Sequence, residues 1–214
     1  MVLEWCQLNH WSIFGNFKIA TISRPDSKLR GYLTNEGLSG IVAAAFMQRE
    51  STELIVDTYA HLDAYLLTII LSKTGLAVAF IDSDMLEDAM YLKGIIVAPG
   101  FQGHGLGNVL VKGNMDVLGA KYMGLHTQNA NMDSVANQNA IYQHQAALDN
   151  SNAFGTPNPK VEIIGGIERV VHKEKYHGQS LYGDMGKYTD QNMAMPGLNY
   201  QAGDAVFFYG KRRK

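Results

Sequence analysis

Cysteine occurs once in the 214 residues, at Cys6. A lone thiol closes no intrachain disulfide and builds no thiolate-rich zinc site, so disulfide scaffolds and zinc ribbons are excluded. The reducing cytoplasm is the simplest compartment for such a chain, and Cys6 beside Trp5 reads as an apolar side chain rather than a nucleophile. Charge imbalance is missing too: 18 Lys and Arg stand against 20 Asp and Glu, a formal net charge of -2. There is no global basic field to recruit nucleic acid, and Lys211-Arg212-Arg213-Lys214 reads as a solvated tail. No apolar run reaches the roughly 20 residues of a membrane span. The longest, Tyr65 to Ile81, is broken by Ser72-Lys73-Thr74-Gly75 and fits two paired strands. The N-terminus carries Glu4 and no cationic segment before an apolar core, so it does not read as a signal peptide. Metal-ligand spacing is absent: His172 and His177 have no carboxylate partner in a zinc pattern, and no His-Glu-x-x-His occurs. What is present, 46% hydrophobic and 18% charged residues, describes a soluble globular chain able to bury a sizeable core in one domain spanning 1–214.

Patterning sets an order of elements, with no repeat and no low-complexity tract. Phe17–Ile22 is a β-rich stretch ahead of the breaker Pro25-Asp26. Thr34-Asn35-Glu36 reads as a helix cap, followed within 34–57 by Leu38, Ile41, Val42 and Ala45 at helical spacing. A β meander comes next: Tyr65–Leu71, a turn at Lys73-Thr74-Gly75, Leu76–Asp82, an acidic turn with Asp82, Asp84, Glu87 and Asp88, then Tyr91–Val97. A second helix is expected with Leu106, Val109, Leu110, Gly113 and Val117 on one face, ended by Gly119. Lys121–Thr127 is a further strand, and Asp133 is expected to cap a helix running to about Leu148. Val161–Ile164 and Ala205–Tyr209 are strand runs. The Gly-, Tyr-, Met- and His-rich stretch between them, about 172–203, reads as a lid, a partner surface or an irregular packed extension.

The stretch Tyr91 to Val111, YLKGIIVAPGFQGHGLGNVLV, points to a ligand class. An apolar run stops at Pro99, a glycine-dense turn follows, and a 3.6-period segment begins. The loop Gln102-Gly103-His104-Gly105-Leu106-Gly107 therefore lies where backbone N–H groups converge at a helix N-terminus, a ready anion site. Glycine lets the backbone approach a phosphate without Cβ interference. No Gly-x-x-x-x-Gly-Lys-Ser/Thr string occurs, and Gly-x-Gly-x-x-Gly fails because its third position is Asn108. Gln/Arg-x-x-Gly-x-Gly/Ala after a Val-x-Pro strand end fits throughout, at Gln102, Gly105 and Gly107 behind Val97-Ala98-Pro99.

That pattern resembles the acetyl-CoA signature of the GNAT superfamily of N-acetyltransferases. The order of elements is similar to the GNAT fold as well, over about residues 28–148, leaving about 149–214 as a C-terminal extension. The resemblance implies an α/β (α+β) fold with a mixed, mostly antiparallel central sheet flanked by helices. It implies acetyl-CoA as cosubstrate and no metal. The amides of Gly103, His104, Gly105, Leu106, Gly107 and Asn108, with Gln102, would hold the pyrophosphate. The strand-end amides of Ile95, Ile96 and Val97 would pair with the pantetheine arm, and that of Val97 would face the developing oxyanion. His104 stands where the family often has arginine.

The family commonly carries Asn-x-x-Ala-x-x-Leu-Tyr on the helix after the next strand, its tyrosine protonating the leaving thiolate. Ile141-Tyr142 match the last pair here, whereas Val135 and Gln138 replace the asparagine and alanine. Tyr142 is therefore read either as the general acid or as a core residue packing with Val135 and Ala146. Two residues are candidate general bases: Asp82, otherwise a turn residue, and His126, otherwise a hydrogen-bonded core histidine. The function implied is acetyl transfer to a primary amine, the acceptor being a small molecule or a lysyl side chain. No nucleic-acid or membrane partner is expected, and a homodimer stays open. The alternatives are a non-catalytic, acetyl-CoA- or CoA-binding regulatory relative and a phosphate-binding interaction module. The acidic residues around Asp84 and Glu87 would favour a cationic amine, unless they are simply a solvated turn.

Overall fold

The computed structural model describes residues 8–14, 17–45, 52–176 and 194–213. Cys6, Lys214 and residues 177–193 of the His- and Met-rich stretch lie outside them. The chain forms two compact units, residues 1–85 with 92–118, and residues 86–91 with 119–214. The class is the expected one, α/β with a mostly antiparallel sheet flanked by helices. Among the described residues no helix is long and apolar enough to cross a membrane.

The first unit opens with β1 (Leu8–Phe14) and β2 (Phe17–Ser23), then α1 (Ser27–Leu33), α2 (Ser39–Ala45) and α3 (Thr52–His61). Strands β3 (Leu66–Leu71), β4 (Ala77–Leu86) and β5 (Ala89–Val97) follow, and α4 (Leu106–Leu118) closes it; β5 starts in the second unit. Strands β1 to β4 pair antiparallel in sequence order. In β3, LLTIIL, the first five residues are all buried, which is why an almost unbroken aliphatic run stands there instead of a polar alternation. Ile22, Leu33, Leu38, Leu62, Leu67, Ile69 and Phe80 form the core.

Four expectations are corrected here. Asp26, read as a breaker, is the N-cap of α1, its carboxylate accepting from Leu29 N–H at 2.8 Å, an ordinary capping bond. Thr34 closes α1 at its C-terminal end and opens a π-helical turn, Thr34–Leu38, instead of capping a helix start, and the chain kinks at Gly37, whose φ of 124° interrupts the helical backbone before α2. The face of α4 is shifted: Leu106, Leu110, Val111, Asn114 and Met115 are buried, while Val117 is 51% exposed. Asn114 belongs inside because Thr68 Oγ1 donates to its Oδ1 at 2.6 Å and its Nδ2 donates to Ser83 Oγ at 2.8 Å. A buried amide satisfied at both ends is tolerated. The acidic turn is smaller than expected, since β4 runs through Asp82 and Asp84 and leaves Glu87 and Asp88 at the bend.

In the second unit β6 (Tyr122–Thr127), β10 (Ala205–Arg212), β9 (Ile167–His172) and β8 (Lys160–Ile164) run side by side and antiparallel. Helix α5 (Ala130–Asn139) is capped by Asn129, whose side chain accepts from Asn131 N–H, not by Asp133. It stops at β7 (Ala140–Tyr142), which pairs with Gly210–Arg212 of β10, and α6 (His144–Asn150) follows. The single helix expected from Asp133 to Leu148 is thus two helices around a strand, because β10 offers an edge that captures residues 140–142. Ala147, Phe154, Val170, Phe207 and Tyr209 form the core here.

Candidate functional site

The glycine loop leaves β5 at Val97 and passes one 3-10 turn, Pro99–Phe101, before α4 begins at Leu106. Its base is stapled: Ala98 N–H donates to Val78 O at 2.9 Å, Phe101 N–H to Ala98 O at 2.8 Å, and Gln102 Nε2 to Val97 O at 3.0 Å. Gln102 thereby ties the loop back to the strand end. Gly103 and Gly105 have φ of 76° and 75°, and a Cβ built on either meets nothing within 4 Å. Left-handed backbone makes glycine necessary at both positions, and the same positions leave open space beside the loop. The amides of Leu106 and Gly107 have no intrahelical acceptor by position. His104 Nδ1 donates to Gln102 O at 2.8 Å, which holds the ring within the loop. In the preceding strand Ile96 packs against the first unit's core, and Ile95 points to the other face by the period of two.

Asp82 lies in β4 with 0% of its surface exposed, and among the described residues neither carboxylate oxygen has a hydrogen bond of normal geometry. His61 Nδ1 stands 3.5 Å from its Oδ2, an ion-pair distance at the outer limit for a hydrogen bond. A Cβ built on Gly94 would fall 2.6 Å from Asp82 Oδ1, so only glycine accommodates the carboxylate there. Burial pushes the Asp82 carboxyl up, opposed by His61 and, more weakly, by Lys93. Lys93 itself donates to Asp63 O at 2.6 Å and pairs with Asp84 at 3.7 Å. His61, the last residue of α3, carried no signal in the sequence: its tie to Asp82 is made by packing alone.

Tyr142 stands in β7 rather than on a helix, yet it packs against the same core as Ala146, as the core reading expected; Val135 is not part of that cluster. The Tyr142 hydroxyl accepts from Val170 N–H at 3.3 Å, the Arg169 guanidinium lies 4.7 Å over its ring, and Phe208 packs at 5.4 Å. Arg169 is held by Asp133 at 2.7 Å. Burial raises the phenol's pKa, with the Val170 bond and Arg169 opposing, so the phenol keeps its proton at physiological pH.

His126 is half-buried in β6 with both ring nitrogens engaged, Nδ1 with Tyr91 OH at 2.9 Å and Nε2 with Thr156 Oγ1 at 2.5 Å. His172 Nδ1 approaches Nε2 at 3.4 Å. Burial, then Lys175 and His172, push its pKa well below the ordinary histidine value. A neutral imidazole with both nitrogens bonded has little capacity to take another proton. Among the described residues no group of three or more His, Cys, Asp or Glu could hold a metal.

Comparison with known proteins gives one family: the model of the acetyltransferase (GNAT) family matches residues 38–137. Among solved structures the chain is similar to the ribosomal-protein-S18-alanine N-acetyltransferase from Escherichia coli at 16% identity, covering 92% of this chain and 95% of that one with a TM-score of 0.42. It is similar to N-acetylglutamate synthase from Neisseria gonorrhoeae at 9% identity, covering 95% and 36%, with a TM-score of 0.45. A GNAT family acetyltransferase from Elizabethkingia anophelis with acetyl-CoA bound shares 12% identity over 92% of this chain and 99% of its own, TM-score 0.39. No curated protein matches the chain.

Proposed function

We propose that this chain, whose residues 38–137 match the model of the acetyltransferase (GNAT) family, transfers an acetyl group from acetyl-CoA to a primary amine by direct attack in a ternary complex. The observation that carries this reading is the loop opening α4, with positive φ at Gly103 and Gly105 and clear space where their side chains would be. That geometry fits a pyrophosphate held by backbone amides, and no lysine or arginine between Lys93 and Lys112 competes for the role. The strand-end amides of Ile95 to Val97 suit an extended pantetheine arm, as an added strand would use them. Acetyl-CoA supplies a thioester carbonyl electrophilic enough for a neutral amine to attack.

The chain's own part is to position the amine and move its protons. Holding both reactants together supplies several kcal/mol, since effective molarities reach about 10⁵ M or more. Asp82 is preferred to His126 as the source of basicity, because the His126 nitrogens are both bonded. Tyr142 is assigned the proton returned to the thiolate. Its hydroxyl oxygen accepts from Val170, an arrangement that leaves the phenolic hydrogen to be donated. The acceptor class is a small-molecule or lysyl amine.

The test is calorimetric titration with acetyl-CoA followed by turnover on a panel of primary amines. Micromolar binding with amine acetylation supports the reading. Binding without acetylation of any amine supports the non-catalytic alternative, and absence of binding removes both.

A further inference from the structure

Resting on that function, we propose that His61 and Asp82 form a base dyad, in which His61 Nε2 takes the proton of the acceptor amine and Asp82 holds the ring from Nδ1. Asp82 cannot meet an acceptor directly. It is fully buried, and Gly94 stands so close to its Oδ1 that a Cβ there would fall at 2.6 Å. His61 can, for its side chain is 55% exposed while Nδ1 faces the carboxylate at 3.5 Å. A hydrogen on Nδ1 directed at Asp82 makes Nε2 the accepting nitrogen. Once protonated, the imidazolium gains the buried carboxylate as counter-charge, and its place at the C-terminus of α3 adds the helix dipole. His61 and, more weakly, Lys93 favour the charged form of Asp82, so this charge is available to stabilise that cation.

The proton balance closes. The acceptor ammonium gives one proton to His61 Nε2, and its nitrogen lone pair then forms the C–N bond at the thioester carbonyl. As the C–S bond breaks, the sulfur keeps the electron pair and receives a proton, and the nitrogen loses its second. One proton is released to solvent from His61. Gly94 is a positioning residue here, since a methyl group 2.6 Å from Oδ1 must displace the carboxylate from His61. Among the described residues, the groups around the pair include Lys93 and Gly94 on β5, Asp84 further along β4, and Asp63 after α3, which also pairs with Arg30 of α1 at 3.2 Å.

The experiment has two arms, both on the full chain. NMR titration of the His61 ring in wild type and Asp82→Asn reads the dyad without any acceptor. We expect the His61 midpoint to fall by about one pH unit or more in Asp82→Asn, the usual effect of losing an adjacent carboxylate. An unchanged midpoint overturns the pairing. In the second arm, acetyl-CoA turnover with spermidine, tyramine and Nα-acetyl-lysine is measured for wild type, His61→Gln and Gly94→Ala. His61→Gln should lower kcat about 10²–10⁴-fold, with acetyl-CoA affinity unchanged and activity recovering at alkaline pH as the amine deprotonates itself. Gly94→Ala should lower kcat and depress the His61 midpoint together. Wild-type kcat in His61→Gln overturns the base role. Wild type that binds acetyl-CoA but acetylates none of the three probes removes the base role together with the proposed function, while the NMR arm still decides the pairing.

Discussion

Replacing Asp82 with asparagine removes a charge at nearly constant shape, and the burial of that charge sets the sign of the result. Asp82 is 0% exposed and, among the described residues, its oxygens lack hydrogen bonds of normal geometry, so the folded state raises its pKa above the ordinary 3.8. Below that ordinary value both folded and unfolded chains carry the proton, and the stability it confers is fully present. As pH rises toward the folded pKa, the unfolded chain releases a proton that the folded chain still holds. Stability then falls, with a slope of at most about 1.4 kcal/mol per pH unit, and the loss is complete above the folded pKa. Protonated His61 offsets part of the loss, so the effect is largest once that ring is neutral. Asp82→Asn has no such slope. At pH 8 it should exceed wild type by about 1–3 kcal/mol, the penalty of an unsatisfied buried polar group, or about 2–4 °C in Tm for each kcal/mol. Near pH 4 the gap should close. Thermal melts of both proteins from pH 4 to 8 read this directly. A variant less stable than wild type at pH 8, or a gap that ignores pH, refutes the argument that Asp82 is a buried charge only partly offset by its neighbours.

Three further outcomes are expected. Gly105→Val should weaken acetyl-CoA binding severely by calorimetry, since φ of 75° disfavours any side chain by about 1–2 kcal/mol and the added bulk enters the open space beside the loop; unchanged affinity removes the loop assignment. His104→Ala should cost about 1 kcal/mol of binding or less, the scale of one neutral hydrogen bond, because its Nδ1 is already bonded to Gln102 O. Tyr142→Phe should lower kcat about 10²–10⁴-fold with acetyl-CoA affinity intact, and wild-type turnover would return the residue to packing against Arg169 and Phe208.

The glycine loop was legible because everything that shapes it is local. A strand end, Pro99, left-handed glycines and a helix start follow one another along the chain, and each is a matter of backbone preference. The meander and the strands at Phe17, Tyr122 and Ala205 were legible for a similar reason, their apolar runs being bounded by turn residues. The errors fall where a distant partner overrode local preference. Asn114 interrupts the apolar period of α4, yet it is interior because Thr68 and Ser83 satisfy it. Residues 140–142 have a helical pattern on both sides, yet they extend because β10 offers backbone partners. Strand β9 was not foreseen at all: its polar Glu168 and Arg169 hide a run whose pairing with β8 and β10 holds it.

The sequence by itself determined the family resemblance, the fold class and the anion-ready loop, since these rest on residues adjacent in the chain and on turn chemistry that only glycine and proline supply. Tertiary structure alone decided which ionisable groups are chemically unusual. It took Asp82 from an expected surface turn into full burial, set His61 against it, and bonded both nitrogens of His126. Desolvation and pairing depend on what distant segments bring within a few ångströms, and local sequence carries no record of that.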